Sequence, residues 1–229
     1  MMRKVAILVD GNFYLRRHHS HFGAKRASNP RKVARDLWIH CMKHLDRDKD
    51  QIYRILFYDC PPVTKRVHHP LTNNAVVLEK TATAIFRKAF FKEIVRWGNV
   101  ALRLGHLDED NARWHIRDPK LHKQVITGRQ PAANLTEDDY VYLAPQKGVD
   151  MRIGLDIASL TLKKLVDKII LISGDSDFVP AAKLARREGV QFYLDPMRNP
   201  IRPDLSEHID GLKTTLPPLP PALPKPPQV

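Results

Sequence analysis

The sequence predicts an α/β protein with a central parallel sheet of about five strands and helices on both faces. Short runs rich in Val, Ile and Leu alternate along the chain with segments whose apolar residues recur at helical spacing. Such alternation is typical of parallel sheets, because helices make the crossovers between parallel strands. Hydrophobic residues make up 43% of the 229 positions, which is sufficient for a packed core.

The individual elements follow from local patterns. Each predicted strand is a short apolar run that ends at a turn, as the first does at Asp10-Gly11-Asn12. The predicted helices carry apolar residues three or four positions apart. The strands are expected at Lys4–Val9, Gln51–Tyr58, Val100–Leu104, Lys168–Ser173 and Val190–Leu194. The helices are expected at Asn29–Asp50, Lys80–Trp97, Val149–Val166 and Asp177–Glu188.

Two segments do not follow this alternation, and they set the expected domain boundaries. Residues 1–210 are predicted to form one domain. A polar insertion at about residues 107–139 is too long for a simple connection and could be a lid or a partner surface. Residues 211–229 are expected to be a disordered tail, because seven of the 18 prolines fall between Thr215 and Val229. The tail could recruit a partner with an aromatic groove, or it could be an inert terminus.

Net charge and cysteine content bound the partners and the compartment. With 38 Lys and Arg against 25 Asp and Glu, the chain has a formal charge of +13. This surplus favours a polyanionic partner such as nucleic acid, although it can also serve solubility alone. Cys41 and Cys60 have no zinc-like spacing and are expected to be reduced thiols. No apolar run has the length of a signal peptide or membrane span, so we expect a cytoplasmic protein that does not bind membranes.

Acidic residues recur where the predicted elements meet. Aspartates end the first two strands, begin a helix and follow the fourth strand: Asp10, Asp59, Asp150, Asp175 and Asp177. The carboxyl ends of parallel strands lie along one edge of a sheet, so these acids are expected to converge. Each of them alone could be a helix N-cap. Converging carboxylates raise one another's pKa unless a cation compensates, and oxygen ligands suit Mg²⁺ or Mn²⁺ rather than zinc.

Four motifs carry a resemblance to a known family. They are VDGNF at Val9–Phe13, the pair Tyr58-Asp59, QKGVDMRIGLDIASL at Gln146–Leu160 and LISGDSDFVP at Leu171–Pro180. In this order the sequence resembles the NYN domain family, including its LabA-like members, within the PIN-like nuclease superfamily. The resemblance implies a three-layer PIN-like, Rossmann-like fold with strand order 3-2-1-4-5. It also implies a divalent metal site and ribonuclease chemistry.

The resemblance assigns roles to particular residues. It makes Asp10, Asp150, Asp175 and Asp177 the catalytic acids that hold the metal. Supporting residues are expected to hydrogen-bond to these acids, contact a phosphate, or stabilise the site: Asn12, Ser173, Lys147, Asp156 and Asp59. Asp156 also matches the family pattern, but six residues of helix turn it away from Asp150, so a structural role is favoured. Asp59 could line the site or cap the turn that follows it.

A basic segment follows the first strand. No acid occurs from Gly11 to Arg35, and aromatic residues are interleaved with the basic ones: Arg16, Arg17, Lys25, Arg26, Arg31, Lys32 and Arg35. With Lys147, these cations could contact phosphates while Phe13, Tyr14 and Phe22 stack on unpaired bases. A solvated loop with a buried Phe13 is the alternative. The histidines His18, His19 and His21 lack partners at tetrahedral spacing and are expected at the surface or at phosphates.

The functional hypothesis is a metal-dependent nuclease that hydrolyses phosphodiester bonds, with RNA favoured over DNA. The cofactor would be Mg²⁺ or Mn²⁺, held by carboxylates that thereby activate water. A non-cleaving RNA-binding or regulatory protein is the main alternative. A DNA nuclease or a small-phosphate hydrolase could use the same site. The sequence is also compatible with a homo-oligomer.

Overall fold

The structure, a computed structural model, describes residues 2–217 and contains a parallel sheet of six strands. The spatial order is 3-2-1-4-5-6, and all five neighbouring pairs are parallel. The predicted order is therefore confirmed, with a short sixth strand added at one edge. The strands are Arg3–Asp10 (β1), Asp50–Asp59 (β2), Val100–Leu104 (β3), Lys168–Ile172 (β4), Gln191–Asp195 (β5) and Gly211–Leu212 (β6).

The sixth strand lies in the segment that was expected to be a disordered tail. Gly211 and Leu212 pair with β5. The N–H of Lys213 then donates to the carbonyl of Leu194 at 3.0 Å, so backbone pairing extends past the expected domain boundary. The rest of the predicted tail, from residue 218 onwards, lies outside the described residues.

Eight helices connect and cover the strands of the described chain. They are Gly11–Phe22 (α1), Ala24–Ala27 (α2), Pro30–Met42 (α3), Ala82–Ile94 (α4), Pro119–Ile126 (α5), Val149–Leu162 (α6), Val179–Arg187 (α7) and Pro203–Ser206 (α8). The sequence analysis missed α1 and α2, and it extended α3 eight residues too far, to Asp50. Asp10 starts α1, because its side chain accepts the N–H of Phe13. No helix among residues 2–217 is both long and apolar enough to cross a membrane.

Alternate residues of the strands face two separate cores, as expected for a sheet covered on both sides. On one face, β1 contributes Ala6 and Leu8, which pack with residues of α6 and α7. On the other face, Val5, Ile7 and Val9 pack with residues of α1, α3 and α4. The strands are short and their carboxyl ends share one edge, so residues that follow them are brought close together.

The insertion is structured and closes on itself. Its entry and exit pair as antiparallel strands, His106–Leu107 with Gln146–Lys147. Inside this pair, Arg113–Ile116 pairs with Tyr140–Leu143 in a second antiparallel ribbon. The helix α5 and two 3₁₀ turns lie between the strands of that ribbon. The insertion is therefore a small subdomain that emerges next to the carboxyl edge of the sheet.

Substitution by alanine is expected to change the stability of the protein in opposite directions at two glycines. An added Cβ at Gly11 would lie 2.5 Å from the carbonyl oxygen of Tyr58, so Gly11→Ala should destabilise the protein by about 1–3 kcal/mol. Gly154, in α6, has no other atom within 4 Å of such a Cβ. Gly154→Ala should therefore stabilise the protein by roughly 0.5–1 kcal/mol through helix propensity. Urea unfolding of both variants tests this, and a shift of the same sign in both would contradict it.

Candidate metal-dependent nuclease site

The loop after β4 meets the first turn of α1 at the carboxyl edge of the sheet. Asp10 caps α1 through its Oδ1, which accepts the N–H of Phe13 at 3.0 Å. The buried hydroxyl of Ser173 donates to Oδ2 of Asp10 at 3.4 Å. That hydroxyl also accepts the N–H of Asp175 at 3.3 Å, and Oδ1 of Asp175 accepts the N–H of Asp177 at 3.0 Å. A chain of hydrogen bonds thus joins the ends of β1 and β4.

Asp150 lies at the same edge, in the first turn of α6. Burial raises the pKa of its carboxyl, and the charges of Asp10, Asp175 and Asp177 raise that pKa further. Burial also raises the pKa of Asp10, against the lowering effects of its hydrogen bonds and of Arg16. Carboxylates perturb one another in this way only at short range. The structure therefore places Asp150 within electrostatic reach of the other three acids.

The four carboxylates are nevertheless not arranged as a compact ligand cage. Among residues 2–217, no three of them bring one oxygen each within 4.8 Å of one another. Asp10 and Asp175 already use one oxygen each as a cap, Asp10 for α1 and Asp175 for the 3₁₀ turn Ser176–Phe178. Mutual repulsion of like charges also favours wider spacing. Shared coordination of one ion by three of these acids would require their side chains to move closer together.

The raised pKa of Asp10 gives a test that needs no activity assay. The folded protein holds this proton more tightly than the unfolded chain, so stability falls as pH rises through the raised pKa. Asp10→Asn removes the charge and keeps the helix cap, because Asn caps as well as Asp.

In EDTA we expect Asp10→Asn to raise the Tm at about pH 7.5 by roughly 2–4 °C, the shift that 1 kcal/mol produces in a chain of this size. The gain should shrink as the pH falls through the raised pKa of Asp10, where the carboxyl takes up its proton. Mn²⁺ should raise the Tm of the wild type and not that of the variant. Differential scanning fluorimetry measures all three effects. A variant that is less stable than the wild type at every pH would contradict the argument.

Asp59 ends β2 beside this edge, and its two carboxylate oxygens differ: Oδ1 is held by protein partners, whereas Oδ2 is buried without a hydrogen-bond partner. It is fully buried, and its Oδ1 accepts the N–H of Cys60 at 2.8 Å and the side-chain amide of Gln146 at 3.2 Å. The guanidinium of Arg87, on α4, donates to the same oxygen. Burial raises the pKa of Asp59, although Arg87 acts in the opposite direction. Asp59 therefore anchors α4, and it influences the acids through its charge, which raises the pKa of Asp10.

Two further supporting residues also have protein partners. Nζ of Lys147 lies 2.6 Å from Oδ2 of Asp108, and this contact is the main cause that lowers the pKa of Asp108 to about 2. Asp156 accepts the hydroxyl of Tyr58 at 2.8 Å and lies 3.2 Å from Nε of Arg103. A phosphate contact by Lys147 would thus require it to leave Asp108. Asp156 has the surroundings of a structural acid.

Three of the basic side chains expected to bind nucleic acid are engaged within the protein. Arg17 donates twice to the carbonyl of Met197, at 2.9 and 3.2 Å. Arg26 forms a bidentate ion pair with Asp36, at 2.5 and 2.6 Å. Arg31 lies 3.3 Å from a glutamate of α4. These arginines therefore contribute to local structure, and the charges of Arg26 and Arg31 are partly neutralised by their acidic partners.

The remaining cations are exposed, while most of the interleaved rings are not. Phe13 and Tyr14 are buried in the core, so they do not offer faces to bases, and Phe22 is half-buried. The expectation that His18 lies at the surface was wrong, since it is buried with Nε2 2.9 Å from Asp36. Within residues 2–217, the exposed basic side chains of this segment that form no ion pair are Arg16, Lys25, Lys32 and Arg35.

A cleft of about 550 Å³ lies between the insertion and the segment that follows β2, and none of the four acids lines it. Its wall on the sheet side includes Asn12, which precedes the buried part of α1. Arg87 and Gln146, the partners of Asp59, also line it. The insertion supplies aromatic rings, among them Trp114 and Tyr142, whose centroids lie 5.4 Å apart. The cleft thus combines polar groups at one end with half-buried aromatic surface at the other.

The sequence analysis missed several residues of this region. Arg87 had no local signal, because its partner Asp59 lies 28 residues earlier in the chain. The aromatic residues of the insertion alternate along short strands, which is a pattern that could have been recognised. The pair His40 and His44 was also overlooked, although a spacing of four residues places two side chains on one helix face.

The fold and this edge define the class of the protein: a parallel α/β fold with carboxylates gathered at the carboxyl ends of its strands, as in PIN-like nucleases. A family model, the NYN domain, matches residues 65–202, which is more than half of the chain. The chain therefore belongs to the NYN domain family, whose members are generally nucleases. The matched range contains Asp150, Asp175 and Asp177, and it begins after Asp10 and Asp59.

Comparison with solved structures and curated proteins adds little about function. The chain is similar to a protein of unknown function from Vibrio parahaemolyticus RIMD 2210633, with a TM-score of 0.46 and 14% sequence identity. That similarity covers 92% of this chain and 91% of the other. No curated protein matches the sequence.

Proposed function

We propose that the protein is a metal-dependent ribonuclease that hydrolyses phosphodiester bonds. The observation that carries the proposal is the chain of hydrogen bonds that joins Asp10, Ser173, Asp175 and Asp177 at the carboxyl edge of the sheet, with Asp150 within reach of their charges. Such a group of carboxylates at a sheet edge suits Mg²⁺ or Mn²⁺, which prefer oxygen ligands. When bound, the ion polarises a phosphoryl oxygen and lowers the pKa of a water that can attack phosphorus.

The residues around the acids then have distinct tasks. Ser173 orients Oδ2 of Asp10, and the cap made by Asp175 fixes the backbone that leads to Asp177. Arg16 is exposed and close enough to lower the pKa of Asp10, so it can meet a phosphate next to the reacting one. Further exposed cations, Lys25 and Lys32, can follow the backbone of a longer strand.

The cleft supports RNA with unpaired bases as the substrate. Half-buried rings of Trp114 and Tyr142 can stack on a base, a contact worth about 1–3 kcal/mol per base. Arg87 and Gln146 also line the cleft, although both already donate to Asp59. A long polyanion also agrees with the net charge of +13, which a small phosphate substrate would not require.

The direct test is cleavage of end-labelled single-stranded RNA by the full chain with Mn²⁺, with Mg²⁺ and with EDTA. We expect cleavage with either metal and none with EDTA. RNA binding without cleavage under every condition would instead indicate a regulatory RNA-binding protein. Parallel reactions with DNA of the same sequence and with a panel of nucleotides distinguish the DNA nuclease and small-phosphate hydrolase alternatives.

The cellular compartment and the partners of the protein are a separate part of the proposal. Cys41 and Cys60 are both unpaired and buried, which supports a reducing compartment such as the cytoplasm. A homo-oligomer and a partner for the proline-rich segment stay predictions, which light scattering and a binding assay with that segment would test.

A further inference from the structure

A second group of potential metal ligands is buried between the end of α3 and the end of β5. His40 and His44 are 4% and 1% exposed, and Asp195 is fully buried. Nε2 of His40 lies 2.8 Å from Oδ2 of Asp195, and Nε2 of His44 lies 2.7 Å from the same oxygen. Of residues 2–217, these are the three whose potential ligand atoms all fall within 4.8 Å of one another.

Hydrogen bonds do not satisfy this group. Nε2 of His44 forms a hydrogen bond with Oδ2 of Asp195. Nε2 of His40 lies close to the same oxygen, but its geometry is not that of a hydrogen bond. Nε2 of His40 and Nδ1 of His44 are thus buried with no hydrogen-bond partner in the described chain. An unsatisfied buried polar group costs about 1–3 kcal/mol. Native proteins rarely leave buried polar groups unsatisfied, and an ion bound by Nε2 of His40 would satisfy that nitrogen.

The surroundings orient the three side chains in the manner of metal ligands. Nδ1 of His40 is held at 3.0 Å by the hydroxyl of Thr215, which leaves its Nε2 directed at Asp195. Oδ1 of Asp195 accepts the N–H of Met197 at 2.7 Å, so Oδ2 is the oxygen that faces both rings. Outer partners of this kind commonly fix the orientation of metal-binding histidines and carboxylates.

We propose that His40, His44 and Asp195 bind one Zn²⁺ ion, at a site distinct from the acids of the nuclease edge. Two imidazole nitrogens with one carboxylate oxygen form a donor set that zinc accepts, whereas Mg²⁺ prefers oxygen ligands alone. His40 lies in the last turn of α3 and His44 in the turn that follows it, and both rings reach Oδ2 of Asp195. The three ligands come from the end of α3, the turn after it and the end of β5, so the ion would cross-link elements that are far apart in sequence.

The consequence of this cross-link is a fixed turn beside the nuclease edge. Met197 and Arg198, which follow β5, have positive φ angles of 47° and 61°, a conformation that costs energy in residues other than glycine. Arg17 of α1 holds the carbonyl of Met197. The side-chain amide of Asn199 packs against Gly174 in the loop that carries Asp175. An ion on Asp195 would hold this turn, and through it the position of that loop.

The proposal is tested by zinc binding to the full chain, stripped with EDTA and transferred to chelator-free buffer. Titration with Zn²⁺ in competition with a chromophoric chelator should give one tight equivalent. His44→Gln should weaken binding by more than about 100-fold, since even outer partners of a metal site contribute about 10–100-fold. His19→Gln, the same change at an exposed histidine of α1, should leave the affinity unchanged. Asp150→Asn should also leave it unchanged.

If the His44→Gln variant does not fold, a measurement on the wild-type chain still tests the proposal. X-ray absorption at the zinc edge should show two imidazoles and an oxygen in the coordination shell. The proposal is overturned if the wild-type chain binds Zn²⁺ no more tightly than the His44→Gln variant does. It is also overturned if the zinc shell contains no imidazole, or if Asp150→Asn removes the tight equivalent. These readouts do not depend on RNA cleavage, so they stand apart from the proposed nuclease activity.

Discussion

Replacing Asp175 with Asn is expected to abolish RNA cleavage while leaving the fold and RNA binding intact. Loss of one charged metal ligand removes several kcal/mol of transition-state stabilisation, so kcat/KM should fall at least about 10³-fold. Asn can accept the N–H of Asp177 as Asp175 does, so the turn after β4 keeps its cap. RNA affinity should be equal or slightly higher, because a negative charge is removed next to the path of the phosphates.

A matched control for this variant is Asp48→Asn. Asp48 is exposed and lies just before β2, at the amino edge of the sheet, opposite the candidate site. Asp48→Asn removes one negative charge, as Asp175→Asn does, and it should leave both cleavage and the Tm as they are in the wild type. Metal-dependent cleavage by Asp175→Asn at the rate of Asp48→Asn would remove Asp175 from the mechanism. A lower Tm for Asp175→Asn would attribute the loss of activity to the fold.

The sequence predicted the strands whose burial is indicated by a local run of apolar residues. The central strand Lys168–Ile172 was predicted to within one residue, because it is fully buried and almost entirely apolar. The edge strand Val100–Leu104 was predicted to the residue from its short run of apolar residues. The sixth strand, Gly211–Leu212, was not predicted. A strand of two residues is too short to show an alternation of apolar and polar residues. It forms because its backbone pairs with β5.

The segment after β1 shows how tertiary packing can override a local interpretation. Its many cations and its histidines suggested a solvated loop or a nucleic-acid contact. The helix α1 forms instead because Phe13, Tyr14 and His18 are buried against the sheet and α3. Most helical stability in proteins comes from such packing rather than from propensity. The basic composition was informative about charge and misleading about structure.

The site was predictable where strand ends determine it and unpredictable where partners are distant. Asp10 and Asp175 lie at one edge because Asp10 ends β1 and Asp175 stands three residues after the end of β4. The pairing of Lys147 with Asp108 depends on how the insertion folds back, which no local pattern specifies. The buried contact between Asp59 and Arg87 likewise depends on where α4 packs. These contacts decide which charges face a substrate.

The largest effect on stability is expected from Asp59→Ala. The change leaves the guanidinium of Arg87, whose side chain is 18% exposed, without its partner. Breaking one side of a buried ion pair costs about 3–5 kcal/mol, which corresponds to a fall in Tm of roughly 6–20 °C for a chain of this size. The double variant Asp59→Leu/Arg87→Leu should recover much of this loss, because the residual charge is also removed. Thermal unfolding followed by circular dichroism measures both.

A second salt bridge on α4 provides the control for this prediction. Glu79 pairs with Lys88, the neighbour of Arg87, but both side chains are largely exposed, so Glu79→Ala should leave the Tm unchanged within error. The same set of variants separates two roles of Asp59. If Asp59 only anchors α4, the double variant, assayed well below its Tm, should cleave RNA at close to the wild-type rate. If its carboxylate also binds the metal, the double variant will be stable but inactive, and Asp59 will join the catalytic acids.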